Sequence, residues 1–304
     1  MNTESPANLR LTDPSCRHLR LGVVEVAVRS AVPEVLDDLD ALYGECRRPT
    51  VGPGAIHIEA RVERRRLWTR RHYAVWADGA PVYIPHQRNE VFPHVEWGVN
   101  WRVMMSRNEY LQLHAATLVR GGRAILLAGD SGCGKSTLAA GLMARGWTYF
   151  CDEFALLDPD TLCVQPFPKA LCIKAGAFAA VEQLGLPLRR RHYAKHFKGP
   201  VGYIPPVAPR RAALTPPCPV RYVVFPQYIS ACRPRVTPMP RAEAVNQLIR
   251  RTLNHRVFED RTLPLLCALV RGATCWQLAS GPLGETCDVV ESALVDDCSV
   301  SCSA

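Results

Sequence analysis

The segment Gly129-x-x-x-x-Gly134-Lys135-Ser136 constrains this chain more than any other. An apolar run, Ala124-Ile125-Leu126-Leu127-Ala128, precedes it, and a helix-forming stretch, Ser136-Thr137-Leu138-Ala139-Ala140, follows. Strand, glycine-rich loop and helix in that order make a phosphate-binding loop. The glycines let successive backbone N–H groups curl around an anion. The N-terminus of the following helix adds positive potential at the same spot. The candidate nucleotide-binding residues are therefore Gly129, Asp130, Ser131, Gly132, Cys133, Gly134, Lys135, Ser136 and Thr137. Lys135 has the reach for β- and γ-phosphates, and the Ser136 hydroxyl suits Mg²⁺.

A phosphate loop gives binding, not a reaction. Asp152 comes 17 residues after Lys135, at the end of the strand expected over 147–151. A right-handed β-α-β crossover returns that strand end to the loop. Asp152 is thus a candidate Mg²⁺ ligand or proton acceptor. Glu153 is a further metal candidate on one condition. Adjacent side chains in a strand point to opposite faces, so the strand must end before it. Residues 111–119 read as one strand, in a hairpin with 123–128. That hairpin brings His114 near the loop as a third polar candidate.

Elsewhere the chain reads as mixed α/β. Residues 20–28 alternate like a strand, 31–44 fit a short helix, and 55–85 read as strands with a turn at Asp78-Gly79. Residues 95–108 look helical. A strand–turn–strand follows over 154–168. A strand at 221–225, helices at 242–254 and 263–272, a strand at 274–278 and a helix at 284–295 complete the pattern. This divides the chain into an N-terminal α+β region (1–105), a phosphate-loop domain (106–297) and a tail (298–304).

Basic residues exceed acidic ones, 37 to 28, for a net charge of +9. Between Glu182 and Glu243 no acid occurs, and eleven Lys or Arg do. A field of one sign concentrates an anionic partner. Arg189, Arg190, Arg191, Lys195 and Lys198 are therefore candidate contacts to phosphate or substrate, with a solvated basic loop as the plain alternative. The same window holds twelve of the 25 prolines, so part of 187–220 is expected to be a mobile loop over the site. Only five lysines occur. Two of them, Lys169 and Lys174, follow the acid pair. They are candidate phosphate contacts, or strand-edge lysines that deter aggregation.

The thirteen cysteines show no C-x-x-C spacing, which points to reduced, mostly buried thiols rather than a zinc site. No apolar run approaches the length of a membrane helix. The first residues lack the pattern of a secretory signal, so a cytoplasmic protein with no membrane partner is expected.

Leu113-His114, Gly129 to Ser136, Arg145-Gly146 and Asp152-Glu153, in this order and spacing, resemble the HPr kinase/phosphorylase superfamily. The kinase domain of that family shares its fold with phosphoenolpyruvate carboxykinase. The match is close over 111–158. The resemblance implies an α/β kinase domain using ATP and Mg²⁺. It makes Lys135 the phosphate binder, Ser136 the Mg²⁺ ligand and Asp152 the base that deprotonates a serine. His114 becomes an active-site residue, and Glu153 stands where the family has a second Asp. The family's downstream glycine- and arginine-rich signature is absent. Pro168 to Lys174 takes its place. With Lys198-Gly199, Pro205-Pro206, Phe225 to Tyr228 and Asn254, this segment resembles the HPr-kinase-related kinase A subgroup over 20–295. Its relatives phosphorylate a serine of lasso-peptide precursors. The implied acceptor is a serine in a small protein or ribosomal peptide.

Two other readings stand beside this kinase. One is a regulatory nucleotide-binding NTPase without an acceptor, and the other is a kinase of a small metabolite. A nucleic-acid partner ranks last, because no recognisable RNA- or DNA-binding module is present. The N-terminal region could serve the substrate or a second copy in a homo-oligomer.

Overall fold

A hairpin, a helical crossover and a second pair of turns build the N-terminal sheet. β1 (Cys16–Leu21) and β2 (Val24–Ser30) are antiparallel. The expected single strand over 20–28 is instead interrupted by the turn between them. Gly22 has φ +63°, and a Cβ there would lie 1.9 Å from Pro166 O, so only glycine fits this turn. Helix α1 (Pro33–Tyr43) then carries the chain to β3 (Ile56–Glu63), which runs parallel to β2. β4 (His72–Ala77) and β5 (Ala80–Tyr83) complete the order β1-β2-β3-β4-β5. Helix α2 (Val91–Ser106) covers this sheet with Val91, Phe92, Val95, Val99 and Val103 buried.

The computed structural model describes residues 13–63, 72–85, 87–191, 193–195, 199–206, 212 and 214–301 of this mixed α/β chain. Its central sheet takes its strands in the spatial order Thr148–Cys151, Ala115–Arg120, Arg123–Ala128, Cys218–Tyr228, Thr274–Ser280 and Arg235–Pro238. The segment expected as one strand breaks at His114 into β6 (Leu111–Leu113) and β7 (Ala115–Arg120). β7 forms the expected hairpin with β8 (Arg123–Ala128). Helix α3 (Lys135–Ala144), which follows the glycine-rich loop, leads to β9 (Thr148–Cys151). Gly146, at φ +88°, ends this helical segment in the left-handed conformation that glycine adopts freely.

β10 (Ala155–Leu157) and β11 (Cys163–Gln165) form the expected strand–turn–strand and link β6 to the start of β15 (Cys218–Tyr228). β15 lies parallel to both β8 and β17 (Thr274–Ser280). β16 (Arg235–Pro238) closes the edge. Successive residues of β8 face opposite sides, as the strand period requires. Ala124, Leu126 and Ala128 pack under α5 (Arg241–Ile249) and α7 (Thr262–Arg271). Ile125 and Leu127 pack under α3 and α8 (Leu283–Ser301). The short helix α6 (His255–Phe258) joins α5 to α7.

Part of the window expected to hold a mobile loop forms strands instead. β13 (Ala194–Lys195) and β14 (Gly199–Ile204) pair with β12 (Leu171–Lys174) in the order β12-β14-β13, beside the short helix α4 (Phe178–Glu182). Apolar residues between the prolines supply the reason: Tyr193, Val201 and Tyr203 are buried in the N-terminal core. Residues 192, 196–198, 207–211 and 213 of the expected loop, Lys198 among them, lie outside the described residues. The tail expected from 298 also differs, since helix α8 runs on through Ser301. Eleven described cysteines are free thiols, six of them buried. No helix among the described residues is long and apolar enough to cross a membrane.

Candidate functional site

The glycine-rich loop from Gly129 to Ser136 opens a cavity of about 460 Å³. Gly132 (φ +95°) and Gly134 (φ +98°) bend the loop through backbone conformations that other residues resist. Lys135 is buried, and its ammonium donates to Gly129 O at 2.6 Å and Asp130 O at 3.2 Å. Ser131, Gly132, Gly134, Lys135, Ser136 and Thr137 line the cavity. Gly129, Asp130 and Cys133 shape the loop from outside that lining. A Cβ on Gly129 would meet Cys133 Sγ at 2.6 Å. Asp130 is exposed and pairs with Arg251 at 3.1 Å.

The crossover brings the acid to the loop. β9 lies antiparallel to β7, and β7 to β8, so β9 runs in the direction of β8. Its end meets the start of α3. Ser136 Oγ donates to Asp152 Oδ2 at 2.6 Å. Asp152 is only 7% exposed, and its Oδ1 is buried with no hydrogen-bond partner. Burial pushes this carboxyl up to about 6, and the Glu153 charge adds to the shift. The Ser136 hydrogen bond and the Lys135 and Lys195 charges pull the other way. Glu153 lines the same cavity. The alternation argument against it does not apply, because β9 ends at Cys151. His114 also lines the cavity, held at the strand break where its backbone N–H donates to Arg251 O at 2.8 Å.

The predicted cations divide. Lys174 reaches the loop itself, donating to Ser131 Oγ at 3.0 Å. Lys195 lines the cavity beside the acids and donates to Cys172 Sγ at 3.3 Å. Burial pulls its ammonium down, but the Cys172 sulfur and the Glu153 and Glu96 carboxylates outweigh that, leaving it above its usual value.

Lys169 does not line the cavity at the glycine-rich loop. It is buried, with its ammonium 3.0 Å from Glu96 Oε2, 2.8 Å from Glu96 O and 2.6 Å from Asn100 Oδ1. The scarcity of lysine pointed to chemistry, whereas this lysine neutralises an acid of α2. The Arg189–Arg191 run is likewise paired away from the loop. Arg189 Nε lies 2.7 Å from the buried Asp38, Arg190 binds Glu182, and Arg191 lies 3.5 Å from Asp37 and Asp38. The acids missing from the local sequence come largely from α1.

The donors present fit Mg²⁺. Ser136 Oγ and the unpartnered Asp152 Oδ1 are hard oxygens at the helix start, with Glu153 close by. Among the described residues no cluster of three or more His, Cys, Asp or Glu is arranged to hold a metal.

No protein-family model matches the chain. No curated protein matches it in sequence.

Sequence reasoning passed over several cavity residues. Tyr228, Ser280 and Thr286 line it, from the ends of β15 and β17 and the start of α8. Both strands are recognisable locally. Their placement beside β8 depends on strand order, which the local pattern does not carry.

Proposed function

We propose that this chain is an ATP-dependent, Mg²⁺-requiring kinase that phosphorylates a serine in a small protein or ribosomal peptide. One observation carries the reading: the buried Asp152 carboxylate, pushed up to about 6, accepts a hydrogen bond from the phosphate-loop Ser136. A carboxyl near that value is matched to taking a proton at neutral pH. The motif resemblance to HPr kinases points the same way.

In this mechanism the loop amides and Lys135 hold the β- and γ-phosphates. Ser136 and Asp152 would hold Mg²⁺, with Glu153 beside them. When bound, the ion neutralises charge on the phosphates. The acceptor serine enters beside Asp152. Its Oγ forms a bond to the γ-phosphorus, the bond from that phosphorus to the β–γ bridging oxygen breaks, and ADP leaves. The serine proton passes to Asp152. Lys195 and Lys174 stand where their charges favour the transferring phosphoryl group. His114 contributes a polar side chain on the same wall.

The test is incubation of the full chain with Mg²⁺ and γ-labelled ATP, with extract of its own cells or peptides encoded beside its gene. A phosphoserine-containing product is expected. Nucleotide hydrolysis without a labelled acceptor would replace the kinase with a regulatory NTPase. A labelled small molecule would make the acceptor a metabolite.

A further inference from the structure

Strand order gives the cavity a direction. Asp152 follows β9, two strands to one side of β8. Tyr228 and Ser280 end β15 and β17, the first and second strands on the other side, and they are register partners. β8, β15 and β17 run parallel, and ligands of open α/β sheets lie beyond such C-terminal strand ends. With Ser136 and Asp152 at the reacting end, the rest of the donor leaves across β15 and β17.

That side is built for more than phosphate. Tyr228 is 59% exposed on the cavity wall, which leaves its aromatic ring accessible to a ligand in the cavity. Its backbone N–H donates to Cys133 O at 3.2 Å, which mounts it on the phosphate loop. Ser280 is only 6% exposed, yet its Oγ has no hydrogen-bond partner. That oxygen lies 3.8 Å from where a Cβ on Gly134 would stand. A buried hydroxyl without a partner is costly, so one lining a cavity marks a place for a polar ligand atom.

The wall is also rigid. A Cβ on Gly281 would come within 2.0 Å of Cys232 O, so the exit from β17 is pressed onto the 229–232 turn. Ile229 N donates to Ser280 O at 2.9 Å, and Thr286 Oγ1 accepts from Gly281 N at 3.1 Å while donating to Pro282 O at 2.8 Å. Pro282 adds an apolar surface beside them.

We propose that Tyr228, Ser280 and Pro282 form a nucleoside subsite, which makes the donor a nucleoside triphosphate rather than pyrophosphate or another inorganic polyphosphate. The inference rests on the phosphate-loop reading above. The Tyr228 ring takes the base face to face, and Ser280 Oγ bonds a ribose or α-phosphate oxygen.

The experiment is calorimetric titration of the full chain with Mg²⁺-ATP and with Mg²⁺-tripolyphosphate. Wild type is expected to prefer ATP. Tyr228→Ala is expected to lose about tenfold in ATP affinity, the scale of one base–aromatic stack. Its tripolyphosphate affinity stays within about twofold, and Tyr228→Phe retains ATP binding. Ser280→Ala, a minimal change, also weakens ATP. Equal binding of the two ligands by wild type would overturn the subsite and leave the phosphate loop standing. An unchanged ATP affinity in both Tyr228→Ala and Ser280→Ala, or an equal loss of both ligands in Tyr228→Ala, would overturn it too. Binding of neither ligand by wild type would remove the phosphate-loop reading with it.

Discussion

Lys169 Nζ and Glu96 Oε2 lie 3.0 Å apart, with the two side chains 5% and 7% exposed. Tyr43 joins them, donating to Glu96 at 3.0 Å and accepting from Ala170 N at 2.8 Å. The pair ties α2 to the segment behind the acid pair, where Lys169, Glu96, Asp152 and Glu153 border one small cavity of about 20 Å³.

This pair is structural. Removing one member of a buried ion pair leaves an uncompensated charge, at a cost of about 3–5 kcal/mol. Lys169→Ala is expected to lose stability on that scale in denaturant melts, while the KM for nucleotide stays near wild type. The double variant Glu96→Gln/Lys169→Met should lose less than the single one. A raised KM with unchanged stability would instead restore Lys169 as a substrate contact.

Lys135 is the loop's own cation. Lys135→Ala is expected to lower phosphoryl transfer by about a hundredfold or more, the scale of removing one preorganised donor. Far-ultraviolet circular dichroism should not change. Near-normal turnover would mean that this loop does not hold the reacting phosphates.

The pH profile carries the sign of the Asp152 shift. A base works unprotonated, so activity should be present above its pKa and lost below it. With that carboxyl pushed up to about 6 in the metal-free chain, kcat/KM, which reports the free enzyme, should fall as pH drops through about 6. An acid limb near the ordinary carboxylate value would contradict the burial argument.

Stability should move the opposite way. Between the ordinary 3.8 and about 6 the folded chain keeps a proton on Asp152 that the unfolded chain has released. Folding stability from this group therefore falls as pH rises through that window, then levels off. Asp152→Asn removes the buried charge and keeps an acceptor for Ser136. It should melt higher than wild type at pH 8, by up to about 3 kcal/mol in stability. The gap should close as pH falls toward 4. A lower melting point than wild type at pH 8 would contradict this.

The parts readable in the sequence were those encoded by neighbours. Glycines 129 to 134, the apolar run before them and the alanine-rich helix after them announced β8, the loop and α3. The position of Asp152 followed from a helical crossover that returns β9 in the direction of β8, so that both strand ends meet the loop. What escaped depended on distant partners. The break at His114 is held by Arg251 O. The Arg189–Arg191 run reads as phosphate contacts or a solvated basic loop, because Asp37 and Asp38, which meet it, belong to α1. Tyr228 and Ser280 became cavity residues only through the order β8-β15-β17.

The most direct measurement is phosphoryl transfer by Asp152→Asn against wild type, with Mg²⁺-ATP binding measured on the same samples. The account predicts transfer reduced by about a thousandfold or more, as for loss of a catalytic base and its charge, with nucleotide still bound. Transfer retained by that variant would contradict the assignment of Asp152 as the base.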